Sequence, residues 1–106
     1  KVGVENVAAS EIETVIMQTG LVGECAVVGQ KHHMLDEVPV VFVIPSPTGA
    51  ELGSDELEQK IIGHCRVNLP DFKVVRSVHV VEELPRSTLE KIAKNVLRDR
   101  LPEIEE

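Results

Sequence analysis

The residue best placed to do chemistry is a single lysine, Lys91, at the end of a short segment. Residues 84–91 read Leu-Pro-Arg-Ser-Thr-Leu-Glu-Lys. Pro85 breaks the structure that precedes it, and Ser87 is a residue type common at helix starts. A lysine ammonium is a compact positive charge with three donors on a flexible stem, which suits a position between two anionic groups. On the local pattern alone, a solvated helix lysine is the more common case.

An amphipathic helix is predicted directly behind this lysine, from Ile92 to Arg100. Its apolar residues recur at helical spacing and predict a face anchored on a core. They are Leu89, Ile92, Ala93, Val96, Leu97 and Leu101. The same spacing puts Lys91 off this face. An anchored helix and a rigid proline turn would together hold the lysine in a defined direction.

A second group of chemically capable residues lies in a predicted loop from Gln30 to Glu37. His32 and His33 are followed by Asp36 and Glu37, and two histidines with two carboxylates invite a metal interpretation. Adjacent histidines point to opposite sides of an extended chain, and regular zinc-ligand spacing is absent. We therefore interpret this loop as solvated and predict no metal site.

The two cysteines, Cys25 and Cys65, are isolated and form no Cys-x-x-Cys motif. Cys25 falls in an apolar strand pattern and Cys65 on an apolar helix face, as expected of buried thiols. Two core thiols rather than a disulfide indicate a reducing compartment, which here means the cytoplasm.

Composition bounds the kind of protein and its partners. The chain has 106 residues, of which 42% are hydrophobic, and it carries a formal net charge of −7. Its aromatic residues are Phe42 and Phe72, too few for a base-stacking platform, and the negative charge disfavours nucleic acid as a partner. No apolar run approaches the roughly 20 residues that a membrane span needs. The chain begins at Lys1 without methionine, and we interpret it as one domain of a longer protein.

The predicted elements follow the order (β)αββαβα and give an α+β fold with a small three-stranded sheet covered by helices. Lys1 to Ala9 is predicted as a loop or short strand. A Ser-x-x-Glu capping box at Ser10 and Glu13 then opens a helix that ends at Gly20. The remaining predicted elements are a strand at Val22–Gly29, a central strand at Val38–Ile44 antiparallel to it, a turn at Pro45–Gly49, a helix capped by Ser54 and stopped by Pro70, a strand at Val74–Val81, and a frayed tail at Pro102–Glu106.

Several short segments, taken in order along the chain, resemble the small mobile C-terminal domain of adenylate-forming enzymes. Residues 84–91 are similar to the Leu-Pro-Arg-Thr-x-x-Gly-Lys signature of acyl-CoA synthetases and their relatives. Residues 1–7 resemble Lys-x-Gly-Gly-Glu-Asn-Val, and residues 10–13 the x-Glu-Ile-Glu that follows it. Residues 27–29 resemble Val-Val-Gly, residues 37–41 resemble Glu-x-Pro-x-Val, and residues 72–76 resemble Phe-Lys-Val-Pro-Arg. The resemblance covers nearly all of the chain.

This resemblance implies ATP-dependent activation of a small-molecule carboxylic acid to an acyl-adenylate, followed by transfer to coenzyme A. It makes Lys91 the catalytic cation between the carboxylate and the α-phosphate, supported by the motif residues Pro85, Arg86 and Ser87. ATP, coenzyme A and Mg²⁺ would be bound mainly by an N-terminal domain outside this chain. That domain would be the principal partner, and the isolated chain is expected to be inactive.

For the second half-reaction the resemblance assigns Gly3, Val4 and Glu5 to a loop that lines the tunnel of the thiol after the domain rotates. Glycine allows a close approach of backbone to ligand. The sequence departs from the family pattern at Val4, which replaces a second glycine, at Glu90, which replaces the glycine before the lysine, and mildly at Val75.

Three functions therefore remain open at this stage. The first is the C-terminal domain of an acyl-CoA synthetase, for example of the crotonobetaine/carnitine–CoA ligase or fatty-acyl–CoA ligase type. The second is the same domain in an enzyme that serves a carrier-protein thiol or stops at the adenylate. The third is a degenerate, non-catalytic docking or regulatory domain. The presence of Lys91 favours the first, and the changes at Val4 and Glu90 favour the other two.

Overall fold

A computed structural model describes residues 3–87 and 91–105 of the chain. Its elements are α1 (Val4–Val7), α2 (Ala9–Met17), β1 (Val22–His32), β2 (Asp36–Pro45), α3 (Pro47–Ala50), α4 (Ser54–Asn68), a 3₁₀ turn (Asp71–Lys73), β3 (Val78–Val80) and α5 (Lys94–Arg98). The three-stranded sheet has the order β1-β2-β3, so the apolar strand β2 is central, as predicted. The predicted α+β class is confirmed.

The two faces of the sheet bury different clusters because side chains alternate along a strand. Val27, Val41 and Val43 face α2 and α4, whose buried stripe includes Ile12, Ile16, Leu57, Ile61 and Cys65. Ala26, Val28, Val40 and Phe42 face the C-terminal segment, where they pack with Leu84 and Leu97. Both faces of the hairpin β1–β2 are covered, which explains its continuous apolar sequence.

The β1–β2 hairpin is longer than predicted. Its strands pair antiparallel from Val22 with Pro45 to His32 with Asp36, so the predicted loop at residues 30–37 shrinks to a turn over residues 33–35. Asp36 supports the reversal with a positive φ of 67°. Nδ1 of His32 accepts hydrogen bonds from the backbone N–H groups of Met34 and Leu35, both at 3.1 Å. The histidine that suggested a metal ligand is thus part of the turn.

The prediction missed helices α1 and α3 and misplaced the starts of α2 and α4. The segment predicted as a loop contains α1, and α2 begins at Ala9 without a side-chain cap, so the capping box at Ser10 is absent. Ser54 is the first helical residue of α4 rather than its cap, which is Gly53. In the predicted turn, Ser46 accepts a hydrogen bond from the Gly49 N–H and caps the single-turn helix α3. Helix-start patterns are short and recur by chance, which is why they misplace boundaries.

The third strand is shorter than predicted. β3 covers only Val78–Val80 and pairs in parallel with β2; it follows a 3₁₀ turn at Asp71–Lys73. Backbone hydrogen bonds outside the strand extend the contact: Arg76 N–H donates to Pro39 O, and Val81 N–H donates to Val43 O. The sequence from Val74 therefore follows β2 without forming a regular ladder.

The C-terminal segment differs most from the prediction. Helix α5 is confined to Lys94–Arg98, and Val96, assigned to the buried stripe, is 38% exposed while Leu97 is fully buried. The tail predicted to fray is attached to β1: Ile104 N–H donates to Lys31 O at 2.8 Å, and His33 N–H donates to Ile104 O at 3.0 Å. These bonds occupy backbone groups on the outer edge of β1. No helix in the described part of the chain is long and apolar enough to cross a membrane.

Candidate functional site

Lys91 lies in a closed loop in front of α5. The Ser87 N–H donates to Lys91 O at 2.9 Å, the Ala93 N–H donates to Pro85 O at 2.8 Å, and Arg86 and Ile92 form an antiparallel bridge. These bonds hold the backbone extended on both sides of the loop. The first helical residue is Lys94, two positions later than the predicted Ile92. Residues 88–90, including Glu90, lie outside the described part of the chain.

Three cations flanking Lys91 tie this segment to the N-terminal half of the domain. Arg86 pairs with Glu24 of β1, Lys94 Nζ lies 2.9 Å from Glu13 Oε2, and Arg98 Nε lies 2.8 Å from Glu5 Oε2. Exposed pairs of this kind contribute only ~0–1 kcal/mol each to stability. Their value here is geometric, because they attach the segment to β1, α2 and α1.

Lys91 itself is exposed, and within residues 3–87 and 91–105 it has no salt-bridge partner. Its backbone is fixed by the loop, and its side chain is available to an anion from outside the domain. Lys91 differs in this from Arg86, Lys94 and Arg98, whose charges are already paired with carboxylates of the domain.

Glu13 has a role that differs from the predicted cap. One carboxylate oxygen, Oε2, accepts the Val27 N–H at 2.8 Å and also faces Lys94 Nζ at 2.9 Å. A single half-buried acid thus connects α2, β1 and α5. Sequence analysis missed this role, because its partners lie 14 and 81 positions away.

The predicted thiol loop, Gly3 to Glu5, is called the glycine segment below. It is held by Glu37 of β2. The Val4 N–H donates to Glu37 Oε1 at 2.9 Å, and Gly3 precedes it in an extended conformation. Glu5 is occupied by its ion pair with Arg98. The Val4 side chain is half-buried and packs against the core between the sheet and α2. The side chains of Val4 and Glu5 are therefore engaged within the domain, and Gly3 has only backbone to offer to a ligand.

The loop that carries Lys91, here called the lysine loop, and the glycine segment are attached at opposite ends of the hairpin. Arg86 is bound at Glu24 near the start of β1, whereas Glu37 pairs with Lys31 near the other end of that strand. Seven positions of strand separate Glu24 from Lys31, a span of roughly 23 Å. The two segments are thus attached to opposite ends of the hairpin, while the ion pair of Glu5 with Arg98 also links the glycine segment to α5.

A groove of about 890 Å³ opens beside the glycine segment. Its lining includes Gly3, Val4, Pro39, Phe72 and Arg76. Phe72 is 74% exposed, a high value for one of the two aromatic residues of the chain. The groove joins the segment at residues 3–5 to the one at residues 72–76, two of the motifs that carry the family resemblance.

No metal centre is present among the described residues: no three His, Cys, Asp or Glu side chains in that part of the chain are grouped to hold an ion. The His33 ring nitrogen Nδ1 lies 3.2 Å from Ile104 O, at the tail, and His79 stacks on Phe42. These histidine nitrogens do not fit Mg²⁺, which prefers several oxygen ligands. A magnesium ion used by the whole protein would be bound elsewhere.

Both cysteines are free thiols, as predicted. Cys65 is fully buried in the core, whereas Cys25 is only half-buried and packs against it. Burial, and after it the negative charge of Glu13, raise the pKa of Cys25 to about 12 against the opposing effect of Lys94. Burial also raises the pKa of Cys65. Neither thiol has the lowered pKa of a nucleophilic cysteine.

We expect Cys25 in the folded chain to react with iodoacetamide at pH 8 about a thousandfold more slowly than in the unfolded chain. Its pKa rises from 9.0 to about 12, and each unit lowers the thiolate fraction about tenfold. Because folding raises this pKa, the stability that the neutral thiol contributes is complete below pH 9 and is lost as pH rises toward 12. Mass spectrometry with and without urea measures both rates; equal rates would contradict the burial of this thiol.

Comparison with known proteins identifies the domain. Residues 11–91 match the model of the AMP-binding enzyme C-terminal domain, and the chain belongs to that family. It is similar to the 2-succinylbenzoate–CoA ligase of Listeria monocytogenes, with 38% identity over 98 residues, covering 92% of this chain and 20% of the relative. It is also similar to the peroxisomal benzoate–CoA ligase of Arabidopsis thaliana, with 36% identity over 103 residues, covering 92% of this chain and 18% of the relative.

Solved structures agree with this assignment. ATP-bound MatB from Rhodopseudomonas palustris superposes with a TM-score of 0.77 at 33% identity, covering 90% of this chain and 18% of that one. A fatty acyl CoA synthetase from Mycobacterium tuberculosis gives a TM-score of 0.75 at 34% identity, covering 92% and 18%. The chain spans about a fifth of the length of the curated relatives it matches.

Proposed function

We propose that this chain is the mobile C-terminal domain of an acyl-CoA synthetase. The whole protein would join a carboxylic acid to ATP, forming an acyl-adenylate and pyrophosphate, and then transfer the acyl group to coenzyme A with release of AMP. The carrying observation is Lys91: an exposed lysine without a described partner, on a loop closed by backbone hydrogen bonds and flanked by paired cations. Family membership and the named CoA ligases among the relatives support the same assignment.

In the first half-reaction, a carboxylate oxygen attacks the α-phosphorus and pyrophosphate leaves. Negative charge builds up between two groups that repel each other. A preorganised cation at that position stabilises the transition state more than the separate reactants. We assign this role to Lys91. The walls of the site, including the groups that bind ATP, Mg²⁺ and the acid, would belong to the preceding domain.

In the second half-reaction, the thiol attacks the acyl carbon and AMP leaves. The family resemblance assigns the glycine segment to the thiol's path, and two observations support a working transfer step. Gly3 presents backbone without a side chain, and the Val4 side chain packs against the domain core. The replacement of the family's second glycine by Val4 is therefore accommodated within the domain.

The two segments are attached to the hairpin at positions roughly 23 Å apart along β1, which fits a domain that presents each end in turn. A site built around one acyl-adenylate cannot contact both ends at once. Rotation of the domain between the half-reactions, as in the family, would bring first the lysine loop and then the glycine segment to the same acyl group. The free thiols and the lack of a membrane-spanning helix in the described part of the chain are compatible with the proposed cytoplasmic location.

The test is a comparison of the full-length protein with the isolated 106-residue chain. We expect the full-length protein to catalyse ATP–pyrophosphate exchange with an aromatic or aliphatic carboxylic acid, and the isolated chain to catalyse none, because one lysine is not a complete site. A panel of benzoate, 2-succinylbenzoate and fatty acids follows the named substrates of the relatives. Exchange by the isolated chain would contradict its assignment as one part of the site.

A carrier-protein thiol is the alternative acceptor. The experiment distinguishes it by supplying the full-length protein with coenzyme A or with a phosphopantetheinylated carrier protein, after the adenylate has formed. Acyl-CoA formation supports the proposal. Transfer to the carrier alone would favour the alternative, and a protein that forms no adenylate with any acid would favour the non-catalytic docking function.

A further inference from the structure

Glu37 occupies a cradle formed by two glycines from different parts of the chain. Its partner on β1 is Lys31, and Gly29 is the next residue of β1 on the same face of the sheet. A Cβ atom added to Gly29 would lie 2.3 Å from Glu37 Oε1 and 2.7 Å from its Cδ. A Cβ atom added to Gly3 would lie 2.9 Å from the same Oε1. The carboxylate therefore passes over β1 only because Gly29 has no side chain.

The same oxygen holds the backbone of the glycine segment. Glu37 Oε1 accepts the Val4 N–H at 2.9 Å, whereas α1 has no cap from its own side chains. A hydrogen bond from a backbone N–H to a carboxylate is charge-assisted and stronger than a neutral one. Because the donor and acceptor are 33 positions apart, this bond fixes the segment relative to the sheet.

We infer that Glu37 is the positioning residue of the glycine segment: it sets the backbone of Gly3 and Val4 in the conformation used for thiol transfer, while Gly29 gives its carboxylate room to do so. This inference rests on the proposed function, because it assigns the segment to the transfer step. It adds a residue and a mechanism to that step. Glu37 acts through the backbone of Val4 and does not itself touch the substrate.

Four variants separate reach from charge. Glu37→Ala removes the acceptor, and Glu37→Asp keeps the charge but shortens the side chain by one methylene. Glu37→Gln keeps both the reach and an acceptor oxygen. Gly29→Ala keeps the glutamate but displaces its carboxylate. We expect Glu37→Gln to weaken the hold on Val4 only in part, because it keeps the reach and an acceptor oxygen but loses the charge, and we expect the other three variants to share one stronger phenotype.

A matched control is available at the β3 edge of the sheet. Glu58 Oε2 accepts the backbone N–H of Val78 at 3.0 Å, linking α4 to β3. Glu58→Ala therefore removes the same kind of bond, in which a carboxylate accepts a distant backbone N–H, without touching the glycine segment. It measures the general effect of losing one such contact.

The first readout is hydrogen exchange of the Val4 amide in the 106-residue chain. We expect exchange to accelerate about 10- to 100-fold in Glu37→Ala, the range for loss of a hydrogen bond to a charged group, and to stay near wild type in Glu58→Ala. The second readout is the full-length protein, assayed separately for ATP–pyrophosphate exchange and for thiol transfer from preformed acyl-adenylate. We expect Glu37→Ala to slow transfer about 10-fold or more and to leave exchange within about 2-fold.

The two readouts fail in different ways. An unchanged Val4 amide in Glu37→Ala would overturn the positioning role of Glu37. A faster-exchanging Val4 amide with normal thiol transfer would instead overturn the assignment of this segment to the transfer step, and with it that part of the proposed function. Equal losses in both half-reactions, matched by Glu58→Ala, would show that Glu37 contributes only to stability.

Discussion

Lys91→Ala is expected to slow acyl-adenylate formation in the full-length protein by about 10²–10³-fold, the loss typical of one preorganised group that stabilises developing charge. Transfer from preformed acyl-adenylate to the thiol is expected to change by less than about 2-fold, since the lysine loop is then at the far end of the domain. The physical reason is that Lys91 is fixed at its backbone and has no described internal partner. Single-turnover rates of the two half-reactions measure both effects.

Lys60→Ala is the matched control for this variant. Lys60 is an exposed lysine on α4 whose ion pair with Glu56 is long, at 4.0 Å. The substitution removes the same charge from the domain surface without touching the lysine loop. A Lys91→Ala protein that forms adenylate at the Lys60→Ala rate would exclude a catalytic role for Lys91. It would favour the non-catalytic docking function instead.

Leu97→Ala is expected to destabilise the domain by about 2–5 kcal/mol, the range for a buried leucine replaced by alanine. Leu97 is fully buried and packs with Ala26, Val28 and Phe42 of the hairpin. It is the buried anchor of α5, so its loss would loosen the segment that carries the lysine loop. Urea denaturation of the 106-residue chain measures the change in free energy of unfolding.

The control lies on the neighbouring position of the same helix. Val96 is 38% exposed, so Val96→Ala is expected to cost less than about 1 kcal/mol. Both substitutions introduce the best helix former, so helix propensity cannot explain a loss, and a comparable loss in the two variants would mean that burial of Leu97 against the sheet is not what stabilises α5. It would also weaken the argument that packing of α5 orients the lysine loop.

Much of the fold could be predicted because the informative patterns are local. The stripe on α4 brings Leu57, Ile61 and Cys65 to one face at helical spacing, and all three are buried. The apolar runs of β1 and β2, separated by a polar turn, predicted the antiparallel pair that forms the centre of the domain. These interpretations needed no knowledge of the rest of the chain.

The failures arise where a local pattern competes with a distant partner. Ser10 and Glu13 have the spacing of a capping box, yet Glu13 binds Val27 and Lys94 instead. There the spacing of the motif is present, but tertiary contacts determine the structure. The helix predicted from Ile92 also starts later, at Lys94, and Ile92 pairs with Arg86 in a β-bridge instead.

The candidate site was predictable only as far as the family motifs reached. They pointed to Lys91 and to Gly3, but they gave no sign of what holds either segment in place. Glu37 was part of a quoted motif, and nothing in its neighbours indicated that it reaches Val4. The attachment of Ile104 to β1 was equally invisible, because the tail has no strand pattern and its partner lies more than 70 positions earlier.

The separation of the two segments along β1 has a consequence for how such a protein can evolve. At physiological ionic strength, charges interact over about 8 Å, well short of the roughly 23 Å between the Glu24 and Glu37 ends of the hairpin. Substitutions that share no contacts at this distance combine nearly additively. Under the proposed function, substitutions in the glycine segment would therefore alter thiol transfer with little effect on acid activation, so a lineage could change its acyl acceptor while keeping the same activation step.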